Sequence, residues 1–137
     1  MSNNAPPPVS TPPARQAGRR TTVVIVDDDD AVRTSLVRLL KVIGYEAKGY
    51  AAGETFLADL AGAPADCVIL DLLMPGMEGD RVLARMRDVW AGVPVIFITG
   101  TDEPGIQERL EAADGCTCLI KPVDPRRLVE VIRAVVG

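Results

Sequence analysis

The sequence predicts a doubly wound α/β fold, a parallel sheet covered by helices on both faces. Three observations carry that prediction. An unbroken β-branched run at Thr22 to Val26 and a continuous apolar run at Cys67 to Leu70 read as strands buried on both faces, with a further strand at Val93 to Ile98. Segments with apolar groups at three- and four-residue spacing lie between them. The two kinds of segment alternate five times within about 115 residues, which leaves right-handed β-α-β crossovers and a three-layer sandwich as the economical topology.

The elements follow in order. After the run at Thr22 to Val26, residues from about 30 to 43 place Val32, Leu36, Leu39, Leu40 and Ile43 on one helical stripe, and Gly44 stops it. Tyr45 to Tyr50 alternates and contains Glu46 and Lys48, so it reads as an edge strand. A short helix is expected around Glu54 to Leu60, then the strand from Cys67 that ends at Asp71. A helix from about 79 to 88, the strand Val93 to Ile98, a helix from about 103 to 113 and a strand over 117 to 120 come next. Asp124 is placed to cap a last helix, with Pro125 at its first position.

Residues 1 to 20 form a separate segment rich in Pro, Ala, Ser and Asn, with too few large apolar groups to offset the entropy of ordering. We expect a flexible Pro-rich arm there and a single folded domain over 21–137. The arm holds Arg15, Arg19 and Arg20 and no acid, so the rest of the chain carries about −7 of the net −4. Such a balance does not favour a nucleic-acid binder driven by counterion release. No apolar run nears the ~20 residues a membrane-spanning helix needs, and the N-terminus lacks the apolar core of a signal peptide. Cys67, Cys116 and Cys118 are an odd set without framework spacing, which fits free thiols in a reducing cytoplasm. The absence of histidine excludes histidine metal sites, Ser-His-Asp catalysis and a phosphohistidine on this chain.

In doubly wound sheets the functional crevice lies beyond the carboxyl ends of the strands. Here the first strand ends at Asp27 and Asp28, the third at Asp71, the fourth at Thr99, and Lys121 follows the fifth. Three carboxylates in one crevice repel one another and need either raised pKa values or a cation. All-oxygen ligands favour a hard ion such as Mg²⁺. With Lys121 as a second positive charge and Thr99 as a hydroxyl donor, the set suits phosphoryl transfer, Asp71 acting as nucleophile. Read alone, Lys121 is an ordinary surface lysine and Thr99 is strand filler; their positions change that reading. Asp30 is expected to cap the first helix and Asp29 to be solvated, while Glu78 and Gly79 read as loop and helix start. Cys116-Thr117-Cys118 is too tightly spaced, and has no second pair, for a zinc site.

These pieces resemble the response-regulator receiver family of two-component signalling. The resemblance rests on Val26-Asp27-Asp28, Ile69-Leu70-Asp71 with Met74-Pro75-Gly76-Met77-Glu78-Gly79, Phe97-Ile98-Thr99-Gly100 and Ile120-Lys121-Pro122, in register over about residues 21 to 137. It implies a flavodoxin-like five-stranded parallel sheet of order 2-1-3-4-5 and a phosphoacceptor at Asp71. It also implies Mg²⁺ held by Asp28 and Asp71 directly, by Asp27 largely through water, and by the backbone carbonyl of Leu73. Thr99 would report phosphorylation, Lys121 would hold a phosphoryl oxygen, and Lys121-Pro122 would be cis. The expected function is a signalling domain, not an enzyme with a separate substrate, phosphorylated by a histidine kinase or phosphotransfer protein. That partner would dock near Ala31, Val32 and the loop at Pro122.

Several positions depart from the family pattern. Cys118 stands where relatives usually carry Tyr or Phe, so the conformational switch is expected to be weaker or read through another surface. Leu73 and Thr101 occupy positions that tune water access in relatives, and Leu73 offers no hydrogen bond, so slow dephosphorylation is expected. Nothing follows the last helix, so either a stand-alone receiver or a shortened piece of a longer chain is expected, acting through an unknown downstream protein without direct nucleic-acid or membrane contact. Its output or dimer surface would be the face of the fourth helix, fifth strand and fifth helix, including Glu108, Glu111, Arg126 and Arg127. Two other readings are open: a small Mg-dependent phosphatase with an aspartate nucleophile in Asp27-Asp28-Asp29, and a receiver-like interaction module that is never phosphorylated. Ala31 stands where the first would need Thr or Val, and clustered repelling acids have no use in the second.

Overall fold

A computed structural model describes residues 20–100 and 116–136. Residues 1–19 of the expected arm, the helix predicted over 103 to 113, Thr101, Glu108 and Glu111 lie outside the described residues. Five strands, β1 (Thr22–Val26), β2 (Glu46–Tyr50), β3 (Cys67–Asp71), β4 (Val95–Thr99) and β5 (Thr117–Ile120), form one sheet. Its order is β2-β1-β3-β4-β5 and every pairing is parallel. This is the 2-1-3-4-5 order the sequence implied. Four described helices accompany it: α1 (Asp30–Ile43), α2 (Gly53–Ala58), α3 (Gly79–Arg87) and α4 (Pro125–Val136), the last in the place of the fifth predicted helix.

Side chains alternate across a strand, so a strand covered on both faces must be apolar at every position. Val23 and Ile25 of β1, Cys67 and Ile69 of β3, and Ile96 and Ile98 of β4 face one layer. There they pack with Leu36 and Leu40 of α1 and Leu128 and Ile132 of α4. Val24 and Val26, Val68 and Leu70, and Val95 and Phe97 face the other, against Phe56 of α2 and Val82 and Met86 of α3. Burying one such side chain contributes about 1.5–3 kcal/mol, so the two cores hold the sheet as a rigid plate. β2 lies at the edge and is largely exposed, as Glu46 and Lys48 foretold.

The helix ends follow local chemistry. Gly44 takes φ 114° and closes α1, a left-handed turn for which glycine carries no steric penalty. Asp124 receives the N–H of Arg126 at 3.0 Å at the start of α4. One expectation needs correcting. Asp29, not Asp30, caps α1: its Oδ1 accepts from the N–H of Ala31 (2.9 Å) and Val32 (3.1 Å). The chain turns one residue earlier than expected, so Asp30 falls within the helix's first turn and pairs there with Arg33. Among the described residues no helix is long and apolar enough to cross a membrane.

Candidate phosphoacceptor site

The parallel register brings the carboxyl ends of β1, β3 and β4 to one rim of the sheet. Asp27 follows β1, Asp71 ends β3, and Thr99 ends β4 one residue beyond the partner of Asp71, Ile98. Lys121 follows β5, its N–H held by the Thr99 carbonyl at 2.7 Å. Asp27 and Thr99 are fully buried and Asp71 is 3% exposed, whereas Asp28 stands exposed. Carboxylate oxygens of Asp27, Asp28 and Asp71 all lie within 4.8 Å of one another. The Nζ of Lys121 reaches in from the other side, 3.0 Å from Asp27 Oδ2 and 3.4 Å from Asp71 Oδ2. The sequence expectation that these acids and the lysine converge therefore holds in space. The Lys121–Pro122 peptide bond is cis.

Local backbone geometry aims each group. The N–H of Asp29 donates to Asp27 Oδ1 at 2.9 Å, and the N–H of Leu73 donates to Asp71 Oδ1 at 3.3 Å. Each buried acid thus has one oxygen fixed by its own following loop and the other turned toward the pit. Leu73 itself is 49% exposed beside the site. Behind the site, Gly79 starts α3 against the end of β3, its N–H donating to the Leu72 carbonyl at 2.7 Å. A Cβ there would fall 2.5 Å from the Asp71 carbonyl oxygen and 2.9 Å from Leu72 Cα. Only glycine lets the helix approach so closely. Gly79 was expected as a helix start; its steric role behind Asp71 was not.

The electrostatics are those of an acid cluster short of positive charge. Burial pushes the Asp71 carboxyl up from 3.8 to about 7, the Asp27 charge adds to this, and Lys121 opposes it. Burial alone would lower the Lys121 ammonium, but Asp27 and Asp71 outweigh it and hold the proton on more tightly. Asp27 Oδ2 lies at ion-pair distance from Lys121, yet no donor is aligned on it as a hydrogen bond. A buried carboxylate oxygen without a hydrogen bond costs on the order of 1–3 kcal/mol or more. Two carboxylates beside it only increase the demand for a cation. The donor set, oxygen throughout with Asp28 exposed to solvent, fits a hard divalent ion such as Mg²⁺.

Sequence reasoning overlooked Arg33. Its Nη1 donates to the Asp27 backbone carbonyl at 2.8 Å, and its Nη2 pairs with Asp30. The signal was present as an Asp-Arg pair at i, i+3 in the first turn of α1, directly after the acidic run.

Comparison with known proteins matches this arrangement. Residues 23–133 match the family described as response regulator receiver domain. The sensory transduction protein RegX3 of Mycobacterium tuberculosis is 39% identical over 103 residues, 73% of this chain and 44% of its own length. The response regulator TodT of Pseudomonas putida is 29% identical over 104 residues, 76% of this chain and 46% of its length. The chain therefore spans less than half the length of these curated relatives. Among solved structures, Vibrio cholerae chemotaxis protein CheY4 superposes with TM-score 0.77 at 28% identity, covering 85% of this chain and 99% of that one. A Burkholderia phymatum response regulator receiver protein does so with TM-score 0.72 at 35% identity, over 86% and 96%. A match across most of the chain, a shared fold and an acid cluster at the predicted strand ends agree: the chain belongs to the response regulator receiver domain family of two-component signalling.

Proposed function

We propose that Asp71 accepts a phosphoryl group from a phosphohistidine on a histidine kinase or phosphotransfer protein, and that the new charge alters what the domain binds. The observation that carries this reading is the convergence of the Asp27, Asp28 and Asp71 carboxylates within 4.8 Å of one another at one sheet rim, with Lys121 at ion-pair distance from Asp27 and Asp71. In the transfer, an Asp71 carboxylate oxygen attacks phosphorus as the bond to the donor imidazole nitrogen breaks. The bonding pair stays with that nitrogen, which then takes a proton from solvent. Asp28 and Asp71, with Asp27 through water and the Leu73 carbonyl, would hold Mg²⁺. When bound, the ion neutralises the carboxylates and the incoming phosphoryl oxygens. Lys121 holds a phosphoryl oxygen, and the Thr99 hydroxyl is the neutral donor at the neighbouring strand end.

The donor's route in is a groove of about 250 Å³ lined by Ala31, Val32, Ser35, Leu36, Lys121, Pro122 and Val123, beside the pit. Its mostly apolar wall suits a helix face of a kinase or phosphotransfer protein. On the output side, Cys118 is buried in β5. A thiol there fills far less volume than a ring, so the switch involves a smaller repacking and is read through the β5–α4 face, with Arg126 and Arg127 exposed on it.

The deciding experiment incubates the chain with Mg²⁺ and a small acyl phosphate, and separately with beryllofluoride, with Asp71→Asn in parallel. A gain of one hydroxylamine-sensitive phosphoryl group in the parent and none in Asp71→Asn is the expected result. Modification that persists in Asp71→Asn, or that maps to Asp27, would refute the assignment. Repeated turnover of a phosphate ester would instead show a phosphatase.

A further inference from the structure

Beside the acidic pit, one cation outside the proposed transfer chemistry ties the backbone of Asp27 to the first turn of α1. Arg33 reaches back from the first turn of α1, and its side chain is 19% exposed. Its Nη1 donates to the backbone carbonyl of Asp27 at 2.8 Å, while Nη2 pairs with the Asp30 carboxylate. The Asp27 peptide is thereby gripped at both ends, because its N–H donates to the Tyr50 carbonyl at 3.0 Å. Between the two residues that the guanidinium bridges lies Asp28, exposed, with only the backbone of 27–30 to set its direction.

The stem of Arg33 runs over β2 at Gly49. A methyl group at Gly49 would meet Arg33 Cγ at 3.0 Å, Arg33 Cδ at 3.1 Å and Val37 Cγ2 at 3.3 Å. The bare backbone of the edge strand is therefore the socket in which the arginine lies. The Asp30 partner matters as well. It neutralises the guanidinium, so the clamp fixes the Asp27 carbonyl without adding net positive charge beside a site that must attract a cation.

We propose that Arg33, seated on Gly49, is a positioning residue that fixes the Asp27–Asp30 loop so that Asp28 and Asp27 face Asp71 at metal-binding separation. The inference rests on the reading of the pit as a Mg²⁺ site. Outer partners that orient ligating carboxylates typically change metal affinity by 10–100-fold when removed. Lysine would supply charge without the planar fork that spans two acceptors, so it replaces arginine only in part.

The test is calorimetric titration of the full chain with MgCl₂, beside urea midpoints for each variant and the amide resonance of Asp29, whose N–H bonds Asp27 Oδ1. Arg33→Ala is expected to weaken Mg²⁺ binding at least tenfold and to shift the Asp29 amide in metal-free buffer. Arg33→Lys should fall between Arg33→Ala and the parent. Gly49→Val keeps every charge, suits a strand, and pushes the arginine out of its socket, so it should weaken Mg²⁺ binding in the same direction even where Arg33→Ala folds poorly. Parent-like Mg²⁺ affinity in folded Arg33→Ala or in Gly49→Val would overturn the inference, and a lowered urea midpoint with unchanged affinity would mark Arg33 as structural only. Asp28→Asn serves as the control that must lose binding. A folded parent that takes up no Mg²⁺ would sink the underlying reading of the pit itself.

Discussion

Replacing Asp71 by Asn should stabilise the metal-free chain, although it removes the residue on which the proposed chemistry depends. The carboxyl is 3% exposed, so solvent screens it little. Burial, then the neighbouring Asp27 charge, raises it from 3.8 to about 7. That displacement corresponds to roughly 4 kcal/mol in favour of the protonated form within the fold. The folded state thus keeps this proton to higher pH than the unfolded chain does. Stability that is fully present below about pH 4 is lost as pH rises toward about 7. Asparagine keeps an oxygen for the Leu73 N–H and carries no charge against Asp27, so the variant should escape the loss. The assay is urea unfolding in chelator at several pH values, followed by fluorescence of Trp90. That single tryptophan is buried, and its indole N–H donates to the Leu60 carbonyl at 3.1 Å. Asp71→Asn should exceed the parent by at least ~2 kcal/mol at pH 8 and by little at pH 4.5, and Mg²⁺ should narrow the gap by stabilising the parent. Two curves that run parallel from pH 4.5 to 8 would refute the claim that ionised Asp71 is held at a cost.

Two further outcomes follow from the geometry. Gly79→Ala inserts a methyl 2.5 Å from the Asp71 carbonyl oxygen and should lower stability by about 1–3 kcal/mol. Gly62→Ala, which meets nothing within 4 Å, should change it by less than about 0.5 kcal/mol, and equal urea midpoints for the two variants would contradict the close approach of α3. Leu73→Asn places a hydrogen-bonding group at the exposed shoulder of the site. One added hydrogen bond to an attacking water, worth about 1 kcal/mol, should quicken loss of the phosphoryl group roughly fivefold; decay followed on phosphate-specific gels at the parent's rate would remove the shielding role.

Much of this arrangement was legible in the residues alone because parallel sheets write their burial plainly. Val23–Val26 and Cys67–Leu70 are apolar without interruption because both faces are covered, and the charged residues appear at the strand ends. A reader of the sequence therefore sees strand ends as changes of polarity, and the acids, threonine and lysine at those ends mark the candidate site. What the sequence concealed were contacts between segments. The cap of α1 shifted by one residue because four successive aspartates offer equivalent candidates, and only the backbone turn at Asp29 chooses among them. Arg33 was passed over because its acceptor is a backbone carbonyl, which leaves no mark in composition. Gly49 drew no notice and Gly79 read only as a helix start, yet each marks a place where another part of the chain presses onto bare backbone.

The cysteines carry a practical consequence. Cys67, Cys116 and Cys118 are all buried, and burial, with a contribution from the Asp66 charge, pushes the Cys67 thiol up to about 12. Alkylating reagents need thiolate and access, and the folded chain offers neither at Cys67. Cys67 sits on β3, the middle strand of the sheet and the one that ends in Asp71. The speed at which a thiol reagent marks it thus times how often the sheet parts at its centre, with no label added and no residue exchanged.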